Sequence, residues 1–191
     1  MVDPAGQPRR ARSDATRQRI LDTAREAFAR QGYTGTTITD IARPLGITTA
    51  ALYYHFASKA DILDSLLAEP LAAYARLIED ATAHRLDAPE LLAAYLDFMA
   101  ETRELIPVVA ADPAIGAILD ERLPRTPQQM TAAIIAALTG PHPSRAKTIR
   151  AHAALAAVKE ATLAAMSDTD TLRPRDRAEI LAAALRALDG P

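Results

Sequence analysis

The sequence has no cysteine and no tryptophan, and aromatic residues and glycines are few. The absence of cysteine excludes a disulfide scaffold, a cysteine-ligated zinc or iron–sulfur site and a cysteine nucleophile. Only three Phe and five Tyr occur among the 191 residues, whereas Ala occurs 43 times and Leu 22 times. Because Ala and Leu favour helices while aromatic and β-branched residues favour strands, the composition predicts an all-α fold.

Long apolar runs are also missing from the sequence. The longest uncharged run, Thr126 to Ser144, contains three prolines, two glutamines and a histidine, so it is too polar to span a membrane. The N-terminal arginines Arg9, Arg10 and Arg12 are followed by a polar segment, where a secretory signal would need an apolar one. We therefore expect a soluble cytoplasmic protein that does not bind a membrane.

Charge is distributed unevenly along the chain. The formal net charge is only −2, but residues 1–60 carry nine basic and five acidic groups, whereas residues 61–191 carry 13 basic and 19 acidic groups. A basic N-terminal third attached to an acidic body is typical of a nucleic-acid reader with a separate second module. The charge pattern alone is also compatible with an uneven distribution arising by chance.

The spacing of apolar and capping residues predicts about nine helices and no strand. The predicted helices run from Asp14 to Arg30, from Thr37 to Leu45, from Thr49 to His55, from Ser58 through Leu67, from Asp87 to Glu104, from Asp112 to Leu123, from Thr126 to Gly140, from Ser144 to Ser167 and from Pro174 to Leu188. Thr37, Thr48 and Ser58 are predicted N-caps. Pro44 is predicted to distort the second helix, and Pro70 to kink or break the fourth.

Three of these helices form a helix-turn-helix candidate, since the second and third meet at a tight turn containing Gly46. The residues that surround the turn make the pattern much more specific. They read Arg17-x-x-Ile20-Leu21-x-x-Ala24, Phe28-x-x-x-Gly32-Tyr33, Thr36-Thr37-Ile38-x-x-Ile41-Ala42 and Gly46-Ile47-Thr48-x-x-x-Leu52-Tyr53-Tyr54-His55-Phe56-x-x-Lys59. This string resembles the TetR family of bacterial transcriptional regulators over roughly residues 14–66, and the rest of the chain is similar to the family only in length and helical character.

The resemblance implies a flexible basic arm over 1–13, a helix-turn-helix DNA-binding domain over 14–58 and a helical ligand-binding and dimerisation domain over 59–191. It implies that the third helix enters the major groove. Thr39, Thr49, Ala50 and Tyr53 are then expected near base edges, where the Ala50 methyl group suits a thymine methyl. The residues expected at phosphates or at the edge of this surface are Thr37, Thr48, Tyr53, Tyr54, His55 and Lys59.

For the second module, the resemblance implies a small-molecule site and a dimer interface. Aromatic, Met and polar residues on the middle helices are the ligand candidates, and core packing is the alternative for each: Tyr74, Tyr95, Phe98, Met99, Arg103, Met130, Ile134, His152 and Lys159. The apolar faces of the last two helices are the dimer candidates, again with intramolecular core as the alternative: Ile149, Ala153, Ala156, Leu163, Ile180, Leu181, Ala184 and Leu188.

Sequence motifs of enzymes are missing. The chain has no Gly-rich phosphate loop, no His-Glu-x-x-His and no Gly-x-Ser-x-Gly, and its four histidines lack metal-ligand spacing. We therefore expect no enzyme activity, no cofactor and no metal. The expected function is a homodimeric, ligand-responsive repressor that binds a palindromic operator in double-stranded DNA. Alternatives are a DNA-binding protein of this fold without ligand gating, and a helical enzyme or carrier with an incidental helix-turn-helix.

Overall fold

The computed structural model describes residues 9–83, 85–122, 127–169 and 171–190. Within these ranges it contains ten α-helices, one 3₁₀-helix at Arg103–Leu105 and no strand, which confirms the predicted all-α class. The α-helices are α1 (Arg9–Gln31), α2 (Ile38–Ala42), α3 (Thr49–His55), α4 (Lys59–Thr82), α5 (Ala88–Thr102), α6 (Ile106–Ala111), α7 (Pro113–Arg122), α8 (Pro127–Thr139), α9 (Arg145–Ala165) and α10 (Pro174–Asp189). None of the helices described is long and apolar enough to cross a bilayer.

The chain divides into two compact units. Unit 1 runs from the N-terminus to Glu69 and adds Glu104–Ile118, and unit 2 comprises Pro70–Arg103 and Leu119–Pro191. The interior of unit 1 is built from apolar residues of α1 to α4 and from the added segment. Its fully buried side chains include Ile20, Phe28, Ile41, Leu52, Ile62, Leu63, Val108 and Ile115.

The two turns of the helix-turn-helix depend on glycines with positive φ. Gly32 ends α1 with φ +77°, and Gly46, between α2 and α3, has φ +66°. Residues with a Cβ rarely adopt these angles, so the glycines that the sequence placed at both turns are required there. Two backbone hydrogen bonds close the turn after α2. Gly46 N–H donates to Arg43 O at 3.1 Å, and Ile47 N–H donates to Ala42 O at 3.3 Å.

Helix α3 begins at a threonine cap, as the sequence predicted. Thr48 has extended backbone angles, and its Oγ1 accepts a hydrogen bond of 3.1 Å from Ala51 N–H. Replacing Thr48 by Ala is expected to lower the free energy of unfolding by about 1 kcal/mol, because one amide of the first turn loses its partner. Urea unfolding measures the change, with exposed Thr49→Ala as the matched control. An equal loss in both variants would show that the cap contributes nothing.

Two predicted helix boundaries are wrong. Residues 9–13, expected in a flexible arm, form the start of α1, because this stretch is rich in Arg and Ala and holds neither Gly nor Pro. Helix α2 ends at Ala42, so Pro44 lies in the following turn and does not distort the helix. Pro44 has no N–H to donate to Asp40 O, which accounts for the early end.

Two further differences concern prolines in the middle of the chain. Helix α4 continues through Pro70, so the break that was one of the two expected outcomes is absent. The division between the two units falls at this proline. Helix α6 and the 3₁₀-helix before it were not predicted. The segment is short and Pro107 lies in its first turn, so its sequence shows no clear helical periodicity.

Unit 2 is a set of helices packed around α9, which contacts α5, α8 and α10. Its buried residues are mainly aliphatic and include Leu91, Leu92, Leu96, Ile134, Ala151, Ala154, Val158 and Ala184. The small alanines allow the backbones of neighbouring helices to approach closely. At the periphery, Arg177 on α10 donates two hydrogen bonds of 3.0 and 2.8 Å to Asp97 on α5, and these bonds raise the pKa of Arg177.

Candidate nucleic-acid interface

One face of α3 is exposed and carries two tyrosines. Tyr53 is 50% exposed and Tyr54 is 82% exposed, which makes them two of the most exposed large apolar side chains among the residues described. Thr49 and Ala50, in the first turn of the same helix, are also exposed. Soluble proteins seldom leave neighbouring aromatic side chains in water without a use, so this face is a candidate binding surface.

The opposite face of α3 is fixed to the rest of unit 1. Leu52 is fully buried and Phe56, the C-cap residue, is 4% exposed. The guanidinium of Arg17 lies 4.6 Å from the centre of the Phe56 ring and donates a hydrogen bond of 2.8 Å to Ser65 Oγ. Helices α1, α3 and α4 are therefore joined at one corner, and α3 presents its exposed residues from a rigid base.

The start of α2 is closed by a reciprocal cap. Thr37 Oγ1 accepts from Asp40 N–H at 3.2 Å and donates to Asp40 Oδ2 at 2.6 Å, while Thr37 N–H donates to the same carboxylate. These bonds, with a contribution from Arg43, lower the pKa of Asp40. Because the Thr37 hydroxyl proton is committed to Asp40, Thr37 acts here as a cap. Thr39, two residues later in the first turn of α2, is exposed and can face a ligand surface.

Lys59, predicted at a phosphate, is the first residue of α4, and its side chain reaches the turn between α1 and α2. Its Nζ donates to Tyr33 O at 2.7 Å and to Thr36 O at 2.8 Å, and it lies 4.4 Å from the centre of the Tyr33 ring. Two of its three N–H groups are thus used within unit 1. These contacts connect Lys59 to the turn between α1 and α2.

The remaining predicted contact residues stand at the ends of α3. The half-buried His55 ring packs edge-on against Tyr54, with ring centres 5.3 Å apart. Thr48 is exposed, and although its oxygen accepts from the helix, its hydroxyl can still donate a proton. Together with the phenol groups of Tyr53 and Tyr54, this hydroxyl gives a row of donors suited to phosphate oxygens.

Comparison with known proteins identifies the first unit. Residues 20–66 match the family described as bacterial regulatory proteins, tetR family. Residues 20–66 therefore carry the likeness to the TetR family. The matched range includes every predicted contact residue from Thr37 to Lys59.

The curated relatives of this chain match its N-terminal part. The HTH-type transcriptional regulator SrpR of Pseudomonas putida is 45% identical over 58 residues, which cover 30% of this chain and 27% of SrpR. The HTH-type transcriptional repressor KstR2 of Mycobacterium tuberculosis is 40% identical over 77 residues, covering 39% of this chain and 38% of KstR2. The alignments thus span well under half of each relative, and the relatives are regulators and not enzymes by name.

Solved structures extend the likeness to the whole fold. The ketosteroid transcriptional regulator KstR2 of M. tuberculosis has a TM-score of 0.60 at 20% identity, covering 92% of this chain and 94% of that one. A transcriptional regulator from Aquifex aeolicus has a TM-score of 0.60 at 19% identity, covering 87% and 96%. At these identities the likeness shows a shared fold alone.

Most ligand candidates lie in the interior of unit 2. Ile134 is fully buried, Met99 is 6% exposed, and the Tyr74 and Phe98 rings stack with centres 4.9 Å apart. Tyr95 packs against the same core, and its burial, with smaller effects of Tyr74 and Glu160, raises its pKa to about 12. In this structure these residues pack with the core of unit 2, and their role in binding a ligand stays a prediction.

The polar ligand candidates are dispersed. Lys159 is exposed and pairs with Glu160 at 3.4 Å, and Arg103 is half-buried with one N–H directed to Ala100 O at 3.4 Å. His152 is exposed on α9. The Met130 side chain lies outside the described part of the structure.

An open groove of about 650 Å³ lies between α8 and α9 of unit 2. Among the ligand candidates whose side chains the structure describes, only His152 lines it. The other residues of the groove are small or neutral: Gln128, Thr131, Ala132, Ile135, Ala136, Thr139, Gly140, Pro143 and Thr148. Sequence reasoning missed them because none carries distinctive chemistry. Their i, i+3, i+4 spacing on α8 was the available signal.

The dimer candidates separate into two groups. Ile180, Ala184 and Leu188 on α10 are buried in the core of unit 2, so they act as intramolecular core. By contrast, Ile149 is 57% exposed, and Ala153 and Ala156 on the same face of α9 are exposed as well. Leu163 and Leu181 are half-buried. The exposed apolar face of α9 is therefore the part of the predicted interface that is open to a partner.

Proposed function

We propose that this protein is a transcriptional regulator that binds a palindromic operator as a homodimer and releases it when a small molecule binds unit 2. Repression is the proposed mode, and the name of the relative KstR2 as a repressor supports it. The cytoplasm is the proposed location. In this proposal residues 14–58 read DNA, and residues 59–191 bind the effector and the second copy.

The observation that carries the proposal is the exposed face of α3 within the matched TetR-family range. Thr49 and Ala50 in its first turn, with Tyr53 one turn later, present hydroxyl and methyl groups of a size suited to base edges in a major groove. Tyr54, which is 82% exposed, supplies a donor for phosphate. Leu52 and Phe56 anchor the opposite side, so that α3 can enter a groove as a rigid element.

Two features of unit 2 support the remaining parts of the proposal. The exposed residues Ile149, Ala153 and Ala156 are spaced i, i+4 and i+7, which gives a second copy a continuous apolar face made of one isoleucine and two alanines. The groove between α8 and α9 is in the size range of small-molecule sites. The described residues of its lining include no Lys, Arg, Asp or Glu, so the proposed effector is an uncharged, largely apolar molecule.

Selection of bound sequences from a pool of random DNA duplexes tests the function. At about 50 mM salt, where electrostatic binding is strong, we expect enrichment of a palindrome with two half-sites. Fluorescence anisotropy then measures the affinity for the selected duplex, and Tyr53→Ala should weaken it. Recovery of no common sequence from the pool would contradict the proposal.

A further inference from the structure

The turn between α1 and α2 is held from two sides by charged groups. It comprises residues 32–36 and leads directly into the cap Thr37 and the exposed residue Thr39. Thr36 is 1% exposed, and its hydroxyl donates to Gly32 O at 2.7 Å, which closes the turn on itself. Any movement of this turn therefore moves the start of α2.

On one side, Lys59 binds the carbonyl groups of the turn. Its bonds to Tyr33 O and Thr36 O bracket the turn, and the Tyr33 ring lies against the ammonium group. The Tyr33 ring is itself placed by an edge-on contact with Phe28, whose ring centre is 5.3 Å away. Phe28 is fully buried, so Lys59 is linked through Tyr33 to the core of unit 1.

On the other side, Asp112 binds the amide groups. Asp112 lies between α6 and α7 and is 8% exposed. Its Oδ2 accepts from Thr34 N–H at 2.5 Å, and its Oδ1 accepts from Ala114 N–H at 2.9 Å. The Thr34 bonds, together with the Ala114 bond and the nearby positive charge of Lys59, lower the pKa of Asp112, which keeps the carboxylate ionised.

The contact between the turn and the Asp112 segment is close. A Cβ at Gly32 would lie 3.3 Å from Asp112 Oδ2 and 3.5 Å from Ala111 O. Glycine is therefore required at position 32 for two reasons: it allows the positive φ, and it leaves room for the residues at the end of α6 to approach the turn. The ion pair of Arg25 on α1 with Glu104 fastens the other end of the same segment.

We propose that Asp112 and Lys59 form a clamp that sets the position of α2 for DNA recognition, and that Lys59 is a positioning residue and not a phosphate ligand. This inference rests on the proposed DNA binding. Asp112 accepts from the turn, Lys59 donates to it, and neither residue needs to touch DNA. The clamp also explains why a segment that follows α5 in the chain belongs to unit 1.

The salt dependence of DNA binding distinguishes a positioning role of Lys59 from a direct contact between Lys59 and a phosphate. The affinity of the full-length protein for the selected duplex is measured over a range of salt concentrations. A phosphate ligand contributes about 0.9 to the slope of log K against log salt. We expect Lys59→Met to lower the affinity by about 2- to 30-fold while the slope stays unchanged. Lys59→Arg should also bind more weakly, since a guanidinium does not fit both carbonyl groups. Full affinity of Lys59→Arg, or a reduced slope for Lys59→Met, would overturn the proposal.

The substitution Asp112→Asn distinguishes a positioning role of Asp112 from a general electrostatic effect, because the two predict opposite changes in DNA affinity. Asp112→Asn makes the protein more positive, so electrostatics alone would tighten binding to DNA. The clamp predicts weaker binding, because one of the two amide groups loses its acceptor. The matched control is Asp14→Asn at an exposed position of α1, which removes the same charge and should bind no more weakly than the wild type.

Thermal unfolding verifies that each variant is folded, and the Lys59 variants test the clamp even where Asp112→Asn does not fold. Equal affinities of Asp112→Asn and Asp14→Asn would overturn the clamp while leaving the proposed function intact. Failure of the wild-type protein to bind any duplex would overturn both.

Discussion

Replacing Ala50 by Glu is expected to abolish operator binding without unfolding the protein. Ala50 is exposed in the first turn of α3, so a carboxylate at this position would face the DNA backbone across the proposed interface. Like charges brought together in an interface cost several kcal/mol, which corresponds to a loss of affinity of about 100-fold or more. Fluorescence anisotropy with the selected duplex measures the loss.

The same substitution should leave folding nearly unchanged. A negative charge near a helix N-terminus is favourable, and it offsets the slightly lower helix propensity of Glu, so the free energy of unfolding changes by less than about 0.5 kcal/mol. The control is Ala72→Glu, which adds the same charge at an exposed position of α4 in unit 2. Equal loss of affinity in both variants would indicate a general charge effect and would argue against α3 as the reading helix.

Replacing Ile149 by Asp is expected to produce a monomer that binds the operator poorly. Ile149 is the most exposed aliphatic side chain on the proposed dimer face of α9. A partner would bury the new carboxylate without a counter-charge, and an uncompensated buried charge costs about 3–5 kcal/mol. Analytical ultracentrifugation should show a dissociation constant at least about 100-fold higher.

Loss of the dimer should also reduce DNA binding, because each half-site would then be bound independently. Ala72→Glu again serves as the control, and it should remain dimeric. If Ile149→Asp stays dimeric at the concentrations of the wild type, the interface lies elsewhere on unit 2. The buried residues Ile180, Ala184 and Leu188 could not supply it without opening the core.

The sequence predicted those parts of the fold that depend on local rules. Helix α3 has the predicted bounds, and the capping box of Thr37 and Asp40 is present. Gly32 and Gly46 occupy the two turns with positive φ. Each of these features depends on residues within a few positions of one another, so the pattern contains the information. The family resemblance rested on the same stretch of chain.

The features that the sequence did not reveal depend on distant residues. Lys59 was expected at a phosphate, but its partners Tyr33 and Thr36 lie more than twenty residues away. Asp112, a helix-end acid in the sequence, binds Thr34 across 78 positions. Similarly, the apolar face of α10 was recognisable, but only packing decides whether Ile180 contacts this chain or a second copy.

Dimethyl sulfate footprinting on the selected duplex tests the central claim most directly. The reagent modifies guanine N7 in the major groove and adenine N3 in the minor groove, so it reports which groove the protein occupies. We predict protection of guanine N7 in two patches about 10 base pairs apart, as two α3 helices in successive major grooves require. Protection confined to adenine N3, or protection unchanged by Ala50→Glu, would contradict the assignment of α3 as the reading helix.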